Sequence, residues 1–535
     1  MGSSRQGALP SLLLLLALVA FHGRSLDNGF HYDDGHSLLQ NPHLRSLRAL
    51  PSFFADARTY SATPEYAMYR PLVVVAHAFN YALGGYEPRG YLALNLALHC
   101  LAALLVLHLL GQLGFGPTPS LAGALLFGLH PVQTEVVNYV SARSESLAGL
   151  GGLACFSAYL YSLKEGAKPR WSILSLAAFA LALLSKSTAL ALPLLLLLHR
   201  CLFQPRRPWR EHLPYWLLAG LYTLLYAALS GQGLERAAQV RDGAAQLATQ
   251  AKALVHYLLL TAMPVHLNVQ QQFFATNSPF AQAPLLGGLV AFSLGLAAWR
   301  AQSRRMLFAL GWFLACLLPT LVVPLHILVN DHRLYLSLFG LALAGAGWAE
   351  AVRQRWPLWV GLALLGGLCF QRAGVWKDEI GLWRDAARRA PLMAEAHYNL
   401  GHALHQQGEL EPARLAYEKA VALSPAYVRA LVNLGALYRA QGSLPQAEAA
   451  FRRALDAEPG QVEALNNLGL VCAGKGRYEE AIALYRQALD KAPSTADIWL
   501  NLGLALRDAG RREEAFQALS RAIQLDPSLK ERFGP

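Results

Sequence analysis

The chain has 535 residues, a length that in a soluble protein would suggest about three or four domains. However, 54% of the residues are hydrophobic, only 15% are charged, and the mean hydropathy is +0.28, whereas soluble chains carry about a quarter charged residues. This composition excludes an ordinary soluble protein. Apolar blocks such as 90–112, 213–230 and 306–323 are long enough to cross a bilayer and predict a polytopic membrane protein.

The formal net charge of +12 is unevenly distributed. Residues 394–535 carry 16 Lys and Arg against 17 Asp and Glu, which leaves a net +13 for residues 1–393. That excess clusters at the ends of apolar blocks, as expected for cytoplasmic anchors of membrane spans, and does not predict nucleic-acid binding. The six cysteines lie mostly in apolar runs and have neither metal-ligand nor disulfide spacing.

The N-terminal segment is apolar from Leu12 to Phe21, follows Arg5, and lacks a good small-residue cleavage motif. We therefore expect an uncleaved signal anchor rather than a cleaved signal peptide. In either case the segment that follows is translocated. The large loop over 23–89 is accordingly predicted to lie outside the cytoplasm.

Two adjacent carboxylates, Asp33 and Asp34, lie near the start of this loop. One interpretation is a pair of solvated loop aspartates. Alternatively, a carboxylate at the mouth of a hydrophobic bundle can deprotonate a hydroxyl as that hydroxyl attacks a sugar anomeric carbon. The neighbouring acid can orient the acceptor, raise the pKa of the first acid by like-charge repulsion, or help to hold a metal ion. The sequence leaves open which carboxylate takes the proton.

Basic clusters between the apolar blocks orient the predicted spans. If all of these clusters face the cytoplasm, one threading of about eleven spans satisfies the charges. The clusters are Lys164, Lys168 and Arg170; Arg200, Arg206, Arg207 and Arg210; Arg300, Arg304 and Arg305; and Arg353 with Arg355. The predicted spans are 11–22, 90–112, 119–130, 146–163, 171–185, 187–198, 213–230, 284–300, 306–323, 334–350 and 357–371. An odd number of spans places the C-terminal region on the same side as Asp33.

Polar insertions between the apolar blocks are predicted to gather on that same side. Because charge within or beside a membrane span is costly, these insertions hold candidate functional residues. Lys186, Arg143 and Arg333 are candidates for neutralising a leaving lipid phosphate. Lys186 ends a long apolar run and is hard to explain as a surface residue, whereas Arg143 and Arg333 could instead extend along the membrane boundary as snorkelling side chains.

Three further insertion residues complete the candidate site. Arg70, in Tyr69-Arg70-Pro71, is a fourth candidate for binding the lipid phosphate of a donor. Glu135 lies near His130 in the sequence, and this pair could support the site or be structural. The chain has no Walker loop, dinucleotide fingerprint, zinc spacing or Gly-x-Ser-x-Gly motif, which disfavours nucleotide-driven transport and hydrolysis. A transporter would also predict an inverted repeat of the spans, and none is evident.

Self-similarity at a fixed step begins after a linker over 376–393. Asn-Leu-Gly recurs every 34 residues, together with a glycine, an alanine and a proline at the same step. The pattern is that of the tetratricopeptide repeat (TPR), in which each repeat is a pair of helices. The motif begins at Asn399, Asn433, Asn467 and Asn501. Four repeats over 394–535 predict a concave surface for an extended peptide, although a spacer or a dimerisation arm would share this pattern.

Over almost its whole length, the chain resembles the transmembrane and tetratricopeptide repeat-containing proteins. The resemblance implies an integral-membrane glycosyltransferase of the GT-C class in which Asp33 and Asp34 are the catalytic pair. It also implies a polyprenyl-phosphate sugar as the donor. The resemblance is carried by Phe30-His31-Tyr32-Asp33-Asp34, Asn41-Pro42, Tyr69-Arg70-Pro71-Leu72, His130-Pro131-Val132-Gln133-Thr134-Glu135, Arg143, Ser185-Lys186, Arg333-Leu334-Tyr335-Leu336 and the repeats.

The chain departs from the eukaryotic members of this family in two respects. It has four clear repeats where those members carry a longer array, and it has Lys-Ser at 186–187 and Asp-His-Arg at 331–333. These differences suggest a short prokaryotic form. The predicted location is therefore a bacterial inner membrane, or the endoplasmic reticulum for a eukaryotic chain. In both cases the acid pair and the repeats are expected on the extracytoplasmic side.

Together these observations predict an all-α chain, with a GT-C-like transmembrane bundle over 1–375 and a TPR α-solenoid over 394–535. The expected reaction is inverting transfer of a sugar, mannose by the resemblance, from a dolichyl or polyprenyl phosphate to Ser or Thr hydroxyls. The expected partners are the membrane lipid-linked sugar and a protein or peptide acceptor bound by the repeats. No cofactor is expected beyond that donor, and a need for a divalent metal is left open. The alternative is a non-enzymatic, membrane-anchored TPR scaffold for protein–protein interaction.

Overall fold

The structure is a computed structural model that describes residues 2–230, 241–276, 278, 281–300, 302–323 and 327–530. Within these ranges the chain is helical and contains no strand. It divides into two compact units, Met1–Leu382 and Trp383–Pro535. The predicted all-α fold is confirmed. The division between the units falls inside the segment 376–393, the predicted linker, which itself contains a helix.

The described part of the first unit consists mainly of apolar helices joined by short loops. Fifteen α-helices precede the boundary segment in these ranges. They are α1 (Gly2–His22), α2 (Leu50–Ala55), α3 (Pro71–Gly84), α4 (Pro88–Gln112), α5 (Pro117–Gly128), α6 (Thr134–Asn138), α7 (Arg143–Ser162), α8 (Arg170–Ser185), α9 (Leu192–Phe203), α10 (Leu213–Ser230), α11 (Gly243–Ala262), α12 (Gln282–Arg300), α13 (Arg304–Val322), α14 (Leu338–Ala351) and α15 (Trp356–Ala373). Helix α16 (Glu379–Arg389) follows.

Each of the eleven predicted spans overlaps one of these helices. Among the described residues, four helical stretches are long and apolar enough to cross a membrane: Ala8–Asp27, Pro88–Gln112, Trp209–Ser230 and Trp356–Trp376. Shorter apolar helices include Pro71–Gly84, Arg170–Ser185, Ser187–Phe203 and Leu338–Ala351. The prediction of a membrane protein is confirmed, and the count of eleven spans stays a prediction.

Small residues allow helices of the first unit to approach closely. A Cβ atom at Gly123 in α5 would lie 2.6 Å from the carbonyl oxygen of Ala342 in α14. A Cβ atom at Gly149 in α7 would lie 2.7 Å from the ring of Tyr335. Such backbone approach is the usual way in which membrane helices gain packing energy, because lipid offers no hydrophobic driving force between them.

The last apolar helix, α15, ends beside the loop that carries the acid pair. The Asn28 side-chain amide donates a hydrogen bond to the carbonyl of Ala373 (3.0 Å). His31 Nε2 lies 2.6 Å from the carbonyl oxygen of Trp376, and the Trp376 ring stacks on Tyr139 with the centroids 5.8 Å apart. The chain therefore leaves the apolar part of this unit on the side of the acid pair.

The second unit is a series of helix pairs at the predicted 34-residue step. In the first three repeats a Cβ atom at the glycine of Asn-Leu-Gly would meet the aromatic ring of the same repeat, at 2.7 Å for Gly401 and Tyr417, and in the fourth repeat a Cβ atom at Gly503 would meet Leu519. Only glycine therefore permits this packing of the two helices. The helices are α17 (Ala394–Gln406), α18 (Leu410–Leu423), α19 (Val428–Ala440), α20 (Leu444–Ala457), α21 (Val462–Gly474), α22 (Tyr478–Lys491), α23 (Ala496–Asp508) and α24 (Arg512–Leu525). The predicted TPR solenoid is confirmed.

Candidate functional site

The acid pair lies in a loop with costly backbone geometry. Tyr32, directly before Asp33, has a φ of +50°, a left-handed conformation that is uncommon for a bulky residue. The segment Gly35–Leu39, directly after Asp34, forms a π-helical turn, a conformation that is rare and concentrated at functional sites. The Tyr32 N–H donates to Glu379 Oε1 at 2.7 Å. Surrounding contacts thus hold a conformation that the loop alone would not favour.

Asp34 is fully buried and uses both carboxylate oxygens within the protein. One oxygen accepts the backbone N–H of Ser141 at 2.8 Å and also the Ser141 hydroxyl. The other oxygen accepts the N–H of His31 at 3.0 Å. Burial raises the pKa of Asp34 to about 6, although the hydrogen bonds from Ser141 and His31 oppose this rise. A carboxylate placed in this way can hold a loop but has no access to a substrate.

Asp33, by contrast, points its carboxylate toward open space. Its side chain is 44% exposed, and Oδ1 lies 3.5 Å from His36 Nε2. The Asp33 N–H donates to the Tyr139 hydroxyl at 3.1 Å, which fixes the backbone. His36 is held in turn by the Ser61 hydroxyl at 2.9 Å. The geometry therefore makes Asp33 the accessible member of the pair, a distinction that the sequence left open.

A second group of charges surrounds Glu145 at the start of α7. Lys186 Nζ lies 2.6 Å from Glu145 Oε1, and both side chains are largely buried. Arg70 and Arg333 interact electrostatically with Lys186, and Arg70 also interacts with Glu145. We call Arg70, Lys186 and Arg333 the cation cluster. Three cations beside one carboxylate leave excess positive charge, which suits an anionic ligand.

Tyr60 interacts both with Arg70 of the cation cluster and with the acid pair. The Arg70 guanidinium carbon lies 5.5 Å from the centroid of the Tyr60 ring, and Nη1 lies 3.4 Å from its hydroxyl. Tyr60 also interacts electrostatically with Asp33 and Asp34. Arg70 of the cation cluster and the acid pair therefore both interact with the same buried phenol.

Arg333 contributes to the cluster from the segment before α14. Nη1 donates to the carbonyl of Leu328 at 2.8 Å, and Nη2 donates to the carbonyl of Ile327 at 2.7 Å. The side chain is partly exposed. A guanidinium has five N–H donors, so these two bonds leave donors for a phosphate oxygen.

Arg143 has a different environment from the cation cluster. Its side chain is fully buried. Nε donates to Asn95 Oδ1 at 2.8 Å, Nη1 donates to Asn80 Oδ1 at 2.8 Å, and Nη2 donates to the carbonyl of Tyr91 at 2.9 Å. These partners come from α3 and α4, so the guanidinium joins three helices. A lipid phosphate would have to displace buried partners to reach it, and the structure therefore favours a structural role over phosphate binding for Arg143.

His130 and Glu135 are also placed inside the protein. His130 Nε2 lies 3.0 Å from the carbonyl oxygen of Thr261, and the side chain is buried. Glu135 Oε1 lies 2.8 Å from His332 Nδ1, and burial raises the pKa of Glu135 to about 8. His332 Nε2 in turn lies 3.8 Å from Glu145. Glu135 can thus support the cation cluster through His332, whereas His130 fixes a loop.

Sequence reasoning missed several residues that hold the site. Ser141 and Glu145 flank Arg143 in a polar stretch, and their placement before an apolar helix was a usable signal. Tyr60 and Glu379 gave no local signal, because their roles depend on contacts with distant segments. Within the described ranges, no group of three or more His, Cys, Asp or Glu side chains could hold a metal ion.

Family models for the tetratricopeptide repeat match residues 432–494 and 474–529, and a TPR repeat model matches residues 401–439. Protein O-mannosyl-transferase Tmtc3 of Drosophila melanogaster is 25% identical over 79% of this chain and 56% of its own length. Protein O-mannosyl-transferase TMTC4 of Mus musculus is 27% identical over 74% of this chain and 63% of its own. TMTC1 of Mus musculus is 32% identical over 35% of this chain and 22% of its own.

The chain spans 56–63% of the length of the first two of these relatives. Because the repeats occupy only residues 394–535, a match over 79% of the chain must include much of the membrane unit. The resemblance inferred from the sequence is thereby confirmed in both units. The chain is a relative of the transmembrane and tetratricopeptide repeat-containing proteins.

Proposed function

We propose that the chain is a membrane-embedded protein O-mannosyltransferase of the GT-C type, which moves mannose from a polyprenyl or dolichyl phosphate to a Ser or Thr hydroxyl. The observation that carries the proposal is the half-exposed carboxylate of Asp33, held beside the buried Asp34 and near the cation cluster. The names of the relatives support the choice of mannose and of a protein acceptor.

In the proposed reaction Asp33 is the general base. Its carboxylate accepts the proton of the acceptor hydroxyl as the oxygen attacks the anomeric carbon of the sugar. The bond between that carbon and the phosphate oxygen breaks, the lipid phosphate leaves with the bonding electron pair, and the configuration inverts. Asp34 positions the loop through Ser141 and His31 and does not touch the substrate.

The cation cluster would bind the lipid phosphate. Negative charge grows on the leaving oxygen in the transition state, and fixed cations in a water-poor site stabilise that charge strongly. Lys186 is held by Glu145 at 2.6 Å, so the ammonium is positioned before the donor binds. Arg70 and Arg333 provide N–H groups that can share the phosphate oxygens.

The repeats would bind the acceptor protein. A TPR solenoid presents an extended concave surface that suits a peptide in extended conformation. This surface gives the enzyme a means of selecting acceptors that a small catalytic site at the membrane boundary does not have.

Substitution of Asp33 tests the proposal against the scaffold alternative. Membranes that contain the full chain, tritiated dolichyl-phosphate mannose and a Ser/Thr-rich peptide library should incorporate label into peptide. Asp33→Asn should reduce incorporation by at least 100-fold, since positioned acid–base groups typically contribute about 10²–10⁴-fold. Asp27 is an exposed acid of the same region, and Asp27→Asn is the matched control. Equal incorporation by Asp33→Asn at normal protein level would support the non-enzymatic scaffold.

A further inference from the structure

A cavity of about 380 Å³ lies at the end of the helical bundle away from the acid pair. Its lining includes Gln112, at the C-terminal end of α4. The same helix contributes Asn95 to the buried contacts of Arg143. Because an α-helix rises about 1.5 Å per residue, Gln112 lies roughly 25 Å along the helix from Asn95. This cavity is therefore separate from the candidate catalytic site.

Two cationic side chains, Lys164 and Arg305, line this cavity. Lys164 Nζ lies 4.5 Å from the centroid of the Tyr161 ring, and the Arg305 guanidinium carbon lies 4.5 Å from that of Phe115. Aromatic faces help to hold both cations in place, and Arg305 also pairs with Glu350 at 2.9 Å. Gly114 also lines the cavity and has a φ of +86°, and a Cβ atom there would lie 3.3 Å from Arg305 Nη2. Glycine at this position thus leaves room for the guanidinium.

Two polar side chains of the lining, the partly buried Gln112 and the buried His199, each have a buried nitrogen atom without a partner in the described part of the chain. Gln112 Oε1 accepts the Ser157 hydroxyl at 3.0 Å, whereas its Nε2 has no hydrogen-bond partner. His199 is only 4% exposed, and its Nδ1 likewise has none. An unpaired buried polar group is unfavourable and calls for an explanation, such as a ligand that this structure does not contain.

Apart from Gln204, the remaining lining is apolar and includes Leu163 and Phe308. The cavity therefore combines positive charge, hydrogen-bonding groups and hydrocarbon walls at the ends of membrane helices. Basic pockets of this kind between transmembrane helices suit the headgroup and the chains of an anionic lipid. A free phosphate ion would match the cations but would leave the apolar walls without a partner.

We propose that this cavity binds one anionic phospholipid. Its phosphate lies against Lys164 and Arg305, and its acyl chains follow the apolar wall. The lipid belongs to the leaflet opposite the acid pair, which the positions of the basic loops predict to be the cytoplasmic leaflet. The site is independent of the glycosyltransferase reaction proposed above.

Native mass spectrometry of the full chain, released from detergent micelles, tests the assignment. With equal amounts of phosphatidylglycerol and phosphatidylcholine, we expect one phosphatidylglycerol to stay bound at collision energies that remove phosphatidylcholine. The double variant Lys164→Ala/Arg305→Gln should weaken phosphatidylglycerol binding at least tenfold. The control variant Lys168→Ala/Arg304→Gln removes the same charge from neighbouring exposed positions outside the cavity lining and should bind phosphatidylglycerol normally.

A further variant separates lipid binding from folding. Arg305 Nη1 pairs with Glu350 at 2.9 Å, so Glu350→Gln breaks this ion pair while leaving both cations. Glu350→Gln should keep phosphatidylglycerol bound. Equal loss of lipid from the cavity variant and its control, or equal retention of both lipids, would overturn the proposal. Thermal stabilisation by millimolar inorganic phosphate alone, abolished by Lys164→Ala/Arg305→Gln, would overturn it in favour of a free-anion site.

Discussion

The two adjacent aspartates differ because of contacts that each makes individually. Asp34 is buried and accepts hydrogen bonds from Ser141 and His31, whereas the Asp33 side chain is 44% exposed. A base must reach its substrate, and a positioning group must be fixed. In the proposed reaction Asp33 therefore acts as the base and Asp34 as the positioning group.

The protonation state of Asp34 should determine how kcat/KM falls on the acid side of the pH profile. Its pKa of about 6 means that the carboxyl gains a proton as the pH falls below about 6. One oxygen then becomes a donor and no longer accepts well from its neighbours, so the loop loosens. We expect kcat/KM for mannose transfer to fall as the pH is lowered through 6.

Asp34→Asn should lower kcat about 10- to 100-fold, which corresponds to about 1.4–2.7 kcal/mol of transition-state stabilisation. The Asn side chain has one acceptor oxygen, whereas the Asp34 carboxylate accepts these hydrogen bonds with two oxygens. The limb near pH 6 should disappear in this variant, since the amide does not titrate. A profile that keeps the same limb in Asp34→Asn would assign it to another group.

Substitutions in the Lys186–Glu145 pair can show whether Lys186 binds the donor or only balances the charge of Glu145. Lys186→Met leaves Glu145 without its closest cation, and loss of one partner of a buried ion pair costs about 3–5 kcal/mol. The double variant Lys186→Met/Glu145→Gln removes both charges and should restore the protein level. If Lys186 binds the lipid phosphate, this double variant should still transfer mannose at least tenfold more slowly than the wild type.

The readouts for this pair are the membrane protein level and the initial rate of transfer from dolichyl-phosphate mannose. Glu145→Gln alone keeps the ammonium and serves as the comparison variant. Recovery of both stability and rate in the double variant would show that Lys186 only balances the charge of Glu145.

At the scale of elements, the segment from the end of α15 to the start of α16 supports the loop of the acid pair. His31 Nε2 lies 2.6 Å from the Trp376 carbonyl oxygen, and the Tyr32 N–H donates to Glu379 Oε1 at 2.7 Å. The left-handed Tyr32 is costly by itself, and this acceptor helps to stabilise it. The segment 374–379 thus stabilises the backbone that presents Asp33.

Glu379→Ala should therefore impair catalysis without touching the substrate. We expect kcat to fall about 5- to 50-fold, which corresponds to about 1–2.3 kcal/mol, with little change in KM for dolichyl-phosphate mannose. Glu379→Gln keeps an acceptor oxygen for the Tyr32 N–H and should recover most of the activity. A rise in KM with unchanged kcat would place Glu379 in donor binding instead of loop positioning.

At the scale of the whole molecule, the sequence predicts features that recur at a fixed spacing. It does not predict features that depend on contacts between residues far apart in the chain. The 34-residue step identified the repeats, and the resemblance identified Asp33 and Asp34 as a candidate pair. The different environments of the two acids depend on contacts such as that of Asp34 with Ser141, more than a hundred positions away. Arg143 has the same type of sequence context as Lys186, and only its buried partners Asn80 and Asn95 distinguish it.

Contacts of the last apolar helix also predict on which side of the membrane the repeats lie. Helix α15 ends beside the acid-pair loop, because Ala373 and Trp376 contact Asn28 and His31. No candidate span follows residue 376 within the described residues up to 530. We therefore predict that the repeats lie in the same compartment as Asp33, whether or not the chain has eleven spans.

Cysteine labelling in sealed membranes of defined orientation can test this topology. Single cysteines replace exposed residues in a Cys201→Ser background, since Cys201 is the exposed native cysteine among the described residues. Arg48→Cys in the first loop and Gln407→Cys in the repeats should react with an impermeant maleimide from the same side, and Lys168→Cys only after permeabilisation. Labelling of Arg48→Cys and Gln407→Cys from opposite sides would separate the repeats from the acid pair. Acceptors bound by the repeats could then not reach Asp33, so the proposed role of the repeats depends on this result.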